Sequence, residues 1–383
     1  MIPRSRWPTV SLGEALEYHK DFVTIDDLAT YRRPRVQLHA QGIVLRDEIL
    51  GATIKTKKQQ VCHAGDFLVA EIDAKVGGFG IVPESLGGSI VSSHYFLYAV
   101  DETRLHRSFL DYFIRTPAFR EQVEAQGSTN YAAIRPSDVL GYEIPLPPLA
   151  EQRRIVARIE ELAALIDEAR ALRQRTADET RVMLSAAFAQ AIAEAPQRPM
   201  REVAPIVRRP VELASGGSYP ELGVRSFGKG TFHKPALSAL EVGSKRIFRI
   251  EPGDLLFSNV FAWEGAIAVA RPEDAGRVGS HRFITCVPRA EQATADFLRF
   301  FFLTREGLEL IGGASPGGAG RNRTLGLGAL QDIPVPVPAI ERQRWFDTLQ
   351  ASSNALARLR QAGDPEFDAL HSSILARAFE GRL

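Results

Sequence analysis

Positively charged side chains are concentrated in one stretch of the first half of the chain, between Tyr31 and Lys58. Only Asp47 and Glu48 oppose them there. Clustered Arg and Lys neutralise phosphates, which supplies most of the sequence-independent affinity of proteins for nucleic acid. The pattern predicts contact with a phosphate backbone, with an ordinary solvated charge as the alternative for any single side chain. The candidates are Arg32, Arg33, Arg35, Arg46, Lys55, Lys57 and Lys58.

A matching set of cations lies in the second half, opposed by Glu221 and Glu241. The pair Lys57-Lys58 has its counterpart in Lys245-Arg246. Because phosphate contacts fix position without carrying sequence information, we assign this repeated pair a positioning role. The candidates in the second half are Arg225, Lys229, Lys234, Lys245 and Arg246.

Two glycine-flanked loops carry side chains that suit recognition of bases. Asn can form two hydrogen bonds with adenine, and Arg can do the same with guanine. We therefore expect these loops to read sequence rather than to hold phosphates. The candidates are Asn130, Tyr131, Arg321, Asn322 and Arg323.

An enzymatic alternative comes from Asp66, Asp73 and Lys75, which imitate the acidic pair and lysine of Mg²⁺-dependent restriction nucleases. The matching segment of the second half, residues 261–263, reads Phe-Ala-Trp and lacks these groups. The chain has no phosphate-binding G-x-x-x-x-G-K-[ST] loop. It also lacks the Asn-Pro-Pro-Tyr or Asp-Pro-Pro-Tyr string of amino-methyltransferases. The preferred prediction is that the chain contributes no catalytic residue.

The bulk composition is that of an ordinary globular protein, with 383 residues, 45% hydrophobic and 24% charged residues and a net charge of +1. Its two cysteines, Cys62 and Cys286, lack neighbours at metal-ligand spacing, so we predict two buried thiols and no metal site. Neither a signal peptide nor a long apolar run is apparent. We therefore expect a cytoplasmic protein of two or three domains without a membrane span.

The candidate residues recur because the chain is a tandem repeat. At an offset close to 188 residues, Tyr31 falls on Tyr219 and Gly65-Asp66 falls on Gly253-Asp254. Such regularity over many landmarks predicts two heads of one α+β fold, spanning residues 1–143 and 198–332.

A proline-rich joint and a long helix follow each head. In the first helix, Ile155, Ile159, Leu162, Ile166 and Ala169 alternate spacings of four and three, which is typical of a coiled-coil seam. This helix is predicted over about residues 150–194. The second carries a looser stripe and is interrupted at residues 363–365, Gly-Asp-Pro.

Each apolar stripe needs a partner, and the other copy is the obvious one. The predicted fold is therefore α+β, with two globular heads in a pseudo-twofold tandem repeat. They would be joined by two long antiparallel coiled-coil helices, within residues 144–197 and 333–383.

Three strings carry a resemblance to a known family: IPLPPLAEQRRIVARIEEL from Ile144, IPVPVPAIERQRW from Ile333, and SILARAFEGRL at the C-terminus. They resemble the specificity (S) subunits of type I restriction–modification systems. The resemblance covers the whole chain. The second copy departs from the first, reading Pro-Ala-Ile-Glu-Arg-Gln in place of Pro-Leu-Ala-Glu-Gln.

The resemblance implies a non-catalytic DNA-recognition subunit. Its heads would be target recognition domains, each reading one half of a bipartite asymmetric target in double-stranded DNA, and its helices would set the spacer. It implies as partners two methyltransferase (M) subunits and a motor/endonuclease (R) subunit, with S-adenosylmethionine, ATP and Mg²⁺ held by those partners and no cofactor in this chain. The matching partner-binding positions are Pro147, Pro148, Glu151, Gln152, Glu341 and Arg344. A coiled-coil scaffold whose heads bind protein is the second alternative.

Overall fold

A computed structural model of the chain describes residues 7–125, 134–317 and 323–383. It is a mixed helix and sheet structure that divides into two compact units. The first unit comprises Met1–Arg173 with Ala362–Leu383, and the second comprises Gln174–Gln361. No helix of the described residues is long and apolar enough to cross a membrane.

The first half of the chain contains eleven strands and four helices among its described residues. In chain order they are β1 (Thr9–Ser11), β2 (Leu16–His19), β3 (Phe22–Thr24), β4 (Thr30–Val36), β5 (Ile43–Leu50), β6 (Lys58–Cys62), β7 (Phe67–Ala70), β8 (Phe79–Ile81), β9 (Ser89–Val91), β10 (Tyr95–Val100), α1 (Arg107–Ile114), α2 (Pro117–Ala125), α3 (Pro136–Leu140), β11 (Glu143–Pro145) and α4 (Leu149–Ile192).

The second half repeats this order with small variations. Its elements are β12 (Gln197–Pro199), α5 (Met200–Val203), β13 (Ser218–Val224), β14 (Thr231–Ser238), α6 (Ala239–Val242), β15 (Ile247–Arg249), β16 (Leu255–Ser258), β17 (Ile267–Val269), β18 (Val278–Ser280), β19 (Phe283–Cys286), α7 (Ala295–Leu303), α8 (Arg305–Gly313), α9 (Leu327–Asp332), β20 (Pro334–Pro336), α10 (Ile340–Ala362) and α11 (Asp364–Phe379).

Strand pairing shows that the sequence repeat is also a repeat of structure. Each half contains an antiparallel hairpin, β4 with β5 and β13 with β14, and each hairpin has an irregular step in its register. In the first half, β10, β7 and β8 pair in that order within an antiparallel sheet. In the second half, β19, β16 and β17 pair in the matching order. The joint strands pair as well, β1 with β11 and β12 with β20. The predicted α+β tandem fold is therefore confirmed.

Each sheet packs against the helices that follow it through phenylalanine-rich cores. In the first unit the core includes Phe67, Phe109 and Phe113, and in the second it includes Phe257 and Phe297. All five side chains are buried. Each of these aromatic side chains removes a large apolar area from water, so together they help to fix the sheet relative to α1 or α7.

Helix α4 closely matches its prediction and takes part in both units. The proline cluster before Leu149 blocks an earlier start, because proline lacks an amide hydrogen. Ile155 and Ile159 are buried, whereas the polar stretch from residue 173 to residue 180 is exposed or half-buried. At 1.5 Å per residue, the helix is roughly 66 Å long.

The second helical region is divided where the sequence predicted, between α10 and α11. Within the first unit, α11 runs antiparallel to the start of α4. Arg154 donates to the carbonyl of Leu383 at 2.8 Å, and Arg173 lies 3.3 Å from the carboxylate of Asp364. The predicted stripe on α10 is only partly buried, since Phe346 is enclosed but Leu359 is 72% exposed.

Candidate nucleic-acid interface

The hairpin of β4 and β5 carries four of the predicted phosphate contacts. Arg33 stands opposite Asp47 in the strand register. Its guanidinium donates two hydrogen bonds to that carboxylate, at 2.8 and 2.7 Å. The pairing holds the pKa of Asp47 below its ordinary value, and Arg46 approaches the same carboxylate at 3.5 Å. Arg33 therefore fixes the hairpin, and Arg35 on the same strand is exposed.

Two other predicted contacts also have structural partners. Arg32 donates to the carbonyl oxygens of Ser85 and Gly87, which ties the hairpin to a neighbouring turn. Lys57 forms an ion pair with Asp27 and donates to the carbonyl of Gly51 at 2.9 Å. Arg32 and Lys57 therefore hold neighbouring backbone segments together in addition to contributing positive charge to the surface.

Lys58 and Lys55 are exposed. The ammonium group of Lys58 lies 4.2 Å from the ring centroid of Phe22, a side chain that is itself 48% exposed. Such a cation–π contact holds the charge in one place without neutralising it. A positive charge on an exposed aromatic ring suits both a phosphate and a stacked base.

In the second unit, the hairpin of β13 and β14 also combines exposed cations with aromatic rings. The guanidinium of Arg225 lies 4.8 Å from the ring centroid of Phe232, and it donates to the carbonyl of Thr231. The ammonium of Lys229 lies 5.9 Å from the centroid of Phe227, which is 74% exposed. Lys234, by contrast, is paired with Glu221 at 3.2 Å.

Lys245 and Arg246 are exposed and line a surface cavity of 780 Å³. Arg208 and His281 line the same cavity, and they were missing from the predicted set of contacts. The guanidinium of Arg208 lies 4.6 Å from the ring of Phe248, and burial lowers its pKa. The doublet Arg208-Arg209 was the available signal, but it lies outside the stretch that matches the basic region of the first half.

Of the five predicted base-reading residues, only Arg323 lies within the described part of the chain. Asn130, Tyr131, Arg321 and Asn322 lie outside the described residues. Arg323 is exposed, with its guanidinium 5.3 Å from the ring centroid of Trp263. This contact places Trp263 at the surface near the end of the loop, in addition to its packing against the core.

Asp66 and Asp73, the acidic groups of the nuclease alternative, lie beyond opposite ends of β7. Asp66 immediately precedes β7, whereas Asp73 lies three residues beyond its end. A strand rises about 3.3 Å per residue, so the four residues of β7 span roughly 13 Å along the chain before the turn that leads to Asp73. Asp66 is buried against His19, at 3.1 Å.

The proline–helix joint is held by one buried side chain in each copy. The Gln152 side chain accepts from the His106 amide at 2.8 Å and donates to the carbonyls of Arg104 and Pro147. In the second copy, the Gln343 side chain accepts from the amide of Thr294 and donates to the carbonyls of Gln292 and Pro338.

This equivalence aligns the joints at an offset of 191 residues, three more than the offset of the heads. Both glutamine side chains are fully buried, so they tie each helix to its head. Of the other predicted partner-binding positions, Pro147 is buried, Pro148, Glu341 and Arg344 are exposed, and Glu151 is half-buried beside Arg154.

Comparisons with known proteins agree with this architecture. Residues 5–174 match the family model of the type I restriction modification DNA specificity domain. A sequence search of curated proteins finds no match.

Two solved structures are similar over the whole chain. One is the HsdS subunit from Thermoanaerobacter tengcongensis, 24% identical with a TM-score of 0.67, covering 100% of this chain and 98% of that one. The other belongs to a study of complex assembly and conformational transition of the type I R-M system, 24% identical with a TM-score of 0.73 and full coverage of both chains. At this identity the likeness establishes the fold.

Proposed function

We propose that this chain, whose residues 5–174 match the type I restriction modification DNA specificity domain, is the DNA-reading subunit of a type I restriction–modification system. Each head reads one half of a bipartite target. The helical regions at 144–197 and 333–383 set the distance between the half-sites and dock the methyltransferase partners. The heads correspond to residues 1–143 and 198–332.

One observation carries the proposal. Each half of the chain presents an exposed cation against an aromatic ring: Lys58 of β6 on Phe22 of β3 in the first half, and Arg225, directly after β13, on Phe232 of β14 in the second. A repeated surface of this kind fits two separate contacts with one polyanion. A protein-binding scaffold would not require this repetition of charge.

The residues divide by role within this proposal. Exposed cations of the hairpins and the pair Lys245-Arg246 hold phosphates, while Arg323 and the loop residues Asn130, Tyr131, Arg321 and Asn322 read bases. Lys57-Lys58 is the positioning pair of the first head. Arg32, Arg33 and Lys57 also support the surface through their own hydrogen bonds.

Catalysis belongs to the partners rather than to this chain. We propose that two methyltransferase subunits bind it, that a motor/endonuclease subunit joins them, and that S-adenosylmethionine, ATP and Mg²⁺ are held there. Exposed residues at the helix starts, Pro148, Glu341 and Arg344, are the proposed docking contacts.

The test is to co-express the chain with its methyltransferase partner in a host that lacks adenine methylation, and to map modified adenines across the genome. We expect one asymmetric motif made of two short specific parts separated by a fixed non-specific gap. A continuous motif would contradict the two-reader proposal. The absence of methylation with a partner that copurifies in a stable complex would also contradict it. The partner alone is the control and should leave the genome unmodified.

A further inference from the structure

Two histidines and a carboxylate meet in the first unit, away from the proposed DNA contacts of the hairpin. His19 ends β2, Asp21 lies between β2 and β3, and His63 follows β6. Their ligand atoms all lie within 4.8 Å of one another. His63 Nε2 is 2.6 Å from Asp21 Oδ2, and His19 Nδ1 is 3.7 Å from the same oxygen. Two imidazoles and one carboxylate are a donor set that suits zinc.

A second carboxylate orients His19 toward this cluster. Asp66 is buried, and its Oδ2 lies 3.1 Å from His19 Nε2. A hydrogen bond there places the proton on Nε2, which leaves the lone pair of Nδ1 facing Asp21 and His63. Metal-binding histidines characteristically have their other nitrogen bonded to a carboxylate in this way.

The Nδ1 atom of His19 supplies an independent indication. It is buried and has no hydrogen-bond partner among the described residues. Buried polar atoms are normally satisfied, because an unpaired one loses its interaction with water without compensation. A cation between His19, Asp21 and His63 would satisfy it.

We propose that His19, Asp21 and His63 bind a zinc ion, with Asp66 positioning His19. Donors held tetrahedrally at about 2.0–2.1 Å from zinc lie roughly 3.3 Å apart. The 3.7 Å separation of His19 from Asp21 is close to this value, and the shorter His63–Asp21 contact must open. His63 and Asp21 have side chains 54% and 59% exposed, so they are free to make this adjustment. A water molecule completes the fourth position.

The second unit shows what the fold needs at this turn without a metal. Asp254 is the counterpart of Asp66 and is also buried. It accepts hydrogen bonds from the two terminal guanidinium nitrogens of Arg209, at 2.7 and 3.0 Å. Glu251 stands where His63 does, and its amide donates to Asp254 as that of His63 donates to Asp66. One cationic partner therefore satisfies the buried aspartate. In the first unit, His19 alone would be a sufficient partner for Asp66. The additional groups His63 and Asp21 therefore distinguish the first unit from the second.

A bound ion would tie the β2–β3 connection to the turn before β7. Asp21 adjoins Phe22, the ring beneath Lys58. The proposed ion thus stabilises one edge of the surface that we assign to phosphate contact in the first head, while the second head relies on an ion pair at the matching turn.

The test is a Co²⁺ titration of the full chain after treatment with EDTA, followed by visible absorption, with competition by Zn²⁺. We expect tetrahedral Co²⁺ bands that saturate at one equivalent and disappear on adding Zn²⁺. His63→Ala and Asp21→Asn should each weaken Co²⁺ binding at least tenfold. Far-UV circular dichroism checks that these variants, altered at exposed side chains, remain folded.

His94→Ala is the matched control. His94 Nδ1 contacts the Glu71 carboxylate at 2.7 Å, yet among the described residues it belongs to no group of three such ligands. This variant should bind Co²⁺ as the parent chain does. The proposal is overturned if the parent chain gives no tetrahedral bands, if His63→Ala retains them unchanged, or if His94→Ala loses them equally.

Discussion

At the scale of single residues, the charged side chains of the candidate interface do two different jobs. The guanidinium of Arg33 forms a salt bridge with Asp47 inside the hairpin, whereas Lys245 and Arg246 are exposed beside a cavity. Charge density along the sequence indicated both groups, but it could not separate them. The separation depends on strand register, because Asp47 faces Arg33 only in the observed pairing of β4 with β5.

The first prediction concerns Lys245→Ala and Arg246→Ala in the assembled complex. Each should weaken binding to all DNA sequences alike, because a phosphate contact carries no sequence information. The plot of log affinity against log salt should become shallower by about 0.9 for each contact removed. Fluorescence anisotropy over a series of salt concentrations measures this.

Arg181→Ala provides the control, since this side chain on α4 is 75% exposed, lies outside the proposed DNA contacts and pairs with Asp178 of the same helix. It should leave the salt slope unchanged. A change of target preference in Lys245→Ala, with an unaltered slope, would contradict the phosphate role.

The buried glutamines give a second prediction. Gln152→Ala removes three hydrogen bonds and leaves backbone groups of His106, Arg104 and Pro147 without their partner. We expect a loss of about 1–3 kcal/mol in the free energy of unfolding of the first unit. Urea denaturation measures it. The neighbouring exposed Arg153→Ala should change stability by less than about 0.5 kcal/mol. Equal effects of the two substitutions would show that Gln152 is not structural.

A third prediction concerns the pH dependence of the second unit. The pKa of Asp347 is raised from 3.8 to about 6, and burial of the carboxyl group is the main cause. Because the folded-state value lies above the unfolded one, the protonated carboxyl favours folding. This stabilisation is complete below pH 3.8 and is lost as the pH rises through 6. Asp347→Asn should therefore remove part of the fall in stability between pH 4 and pH 7.

Thermal unfolding of both proteins across that range checks the sign. Glu309→Gln, at an exposed helix surface, is the control and should follow the parent curve. A variant curve that falls more steeply than the parent's would contradict the assignment.

At the scale of elements, the helices were the most predictable part of the chain. The proline cluster and the seam from Ile155 to Ala169 predicted a helix within two residues of the observed limits at each end. The Gly-Asp-Pro break was also visible, because proline cannot continue a helix interior. The joint was less predictable, since the offset between the copies changes from 188 to 191 residues and disguises the match of Gln152 with Gln343.

Helix ends also complete the cores of both units. Near the end of α11, Phe379 packs on Phe109 and Phe113 with centroid distances of 5.0 and 5.1 Å. Near the end of α4, Phe188 packs on Phe297 at 5.1 Å. Phe188 and Phe379 correspond at the 191-residue offset of the joints, but the sequence does not show which head each one covers.

The fourth prediction follows from this packing. Phe379→Ala should destabilise the first unit by about 3–5 kcal/mol and speed amide hydrogen exchange in α1, whereas Phe188→Ala should do so in α7. Exchange followed by mass spectrometry locates each effect. Leu359→Ala, at a side chain 72% exposed, is the control and should leave both helices protected. Faster exchange in α7 on changing Phe379 would refute the assignment of each phenylalanine to its own core.

At the scale of the whole molecule, the tandem repeat of two heads is the organisation that the family resemblance implied. The resemblance carried by the proline and helix motifs is confirmed by the specificity-domain match over residues 5–174. The nuclease and scaffold alternatives receive no support. Composition alone could not have given this result, because a net charge of +1 conceals basic surfaces that are balanced elsewhere. Repetition of the whole head was the informative signal.

The proposed function depends most on each head reading its own half of the target. Residues 1–143 should be replaced by the first head of another specificity subunit, chosen to keep aromatic residues against Phe379, and methylated adenines mapped with the same partner. We predict that one half of the motif changes while the other half and the gap stay the same. An unchanged motif, or a change in both halves, would contradict the central claim.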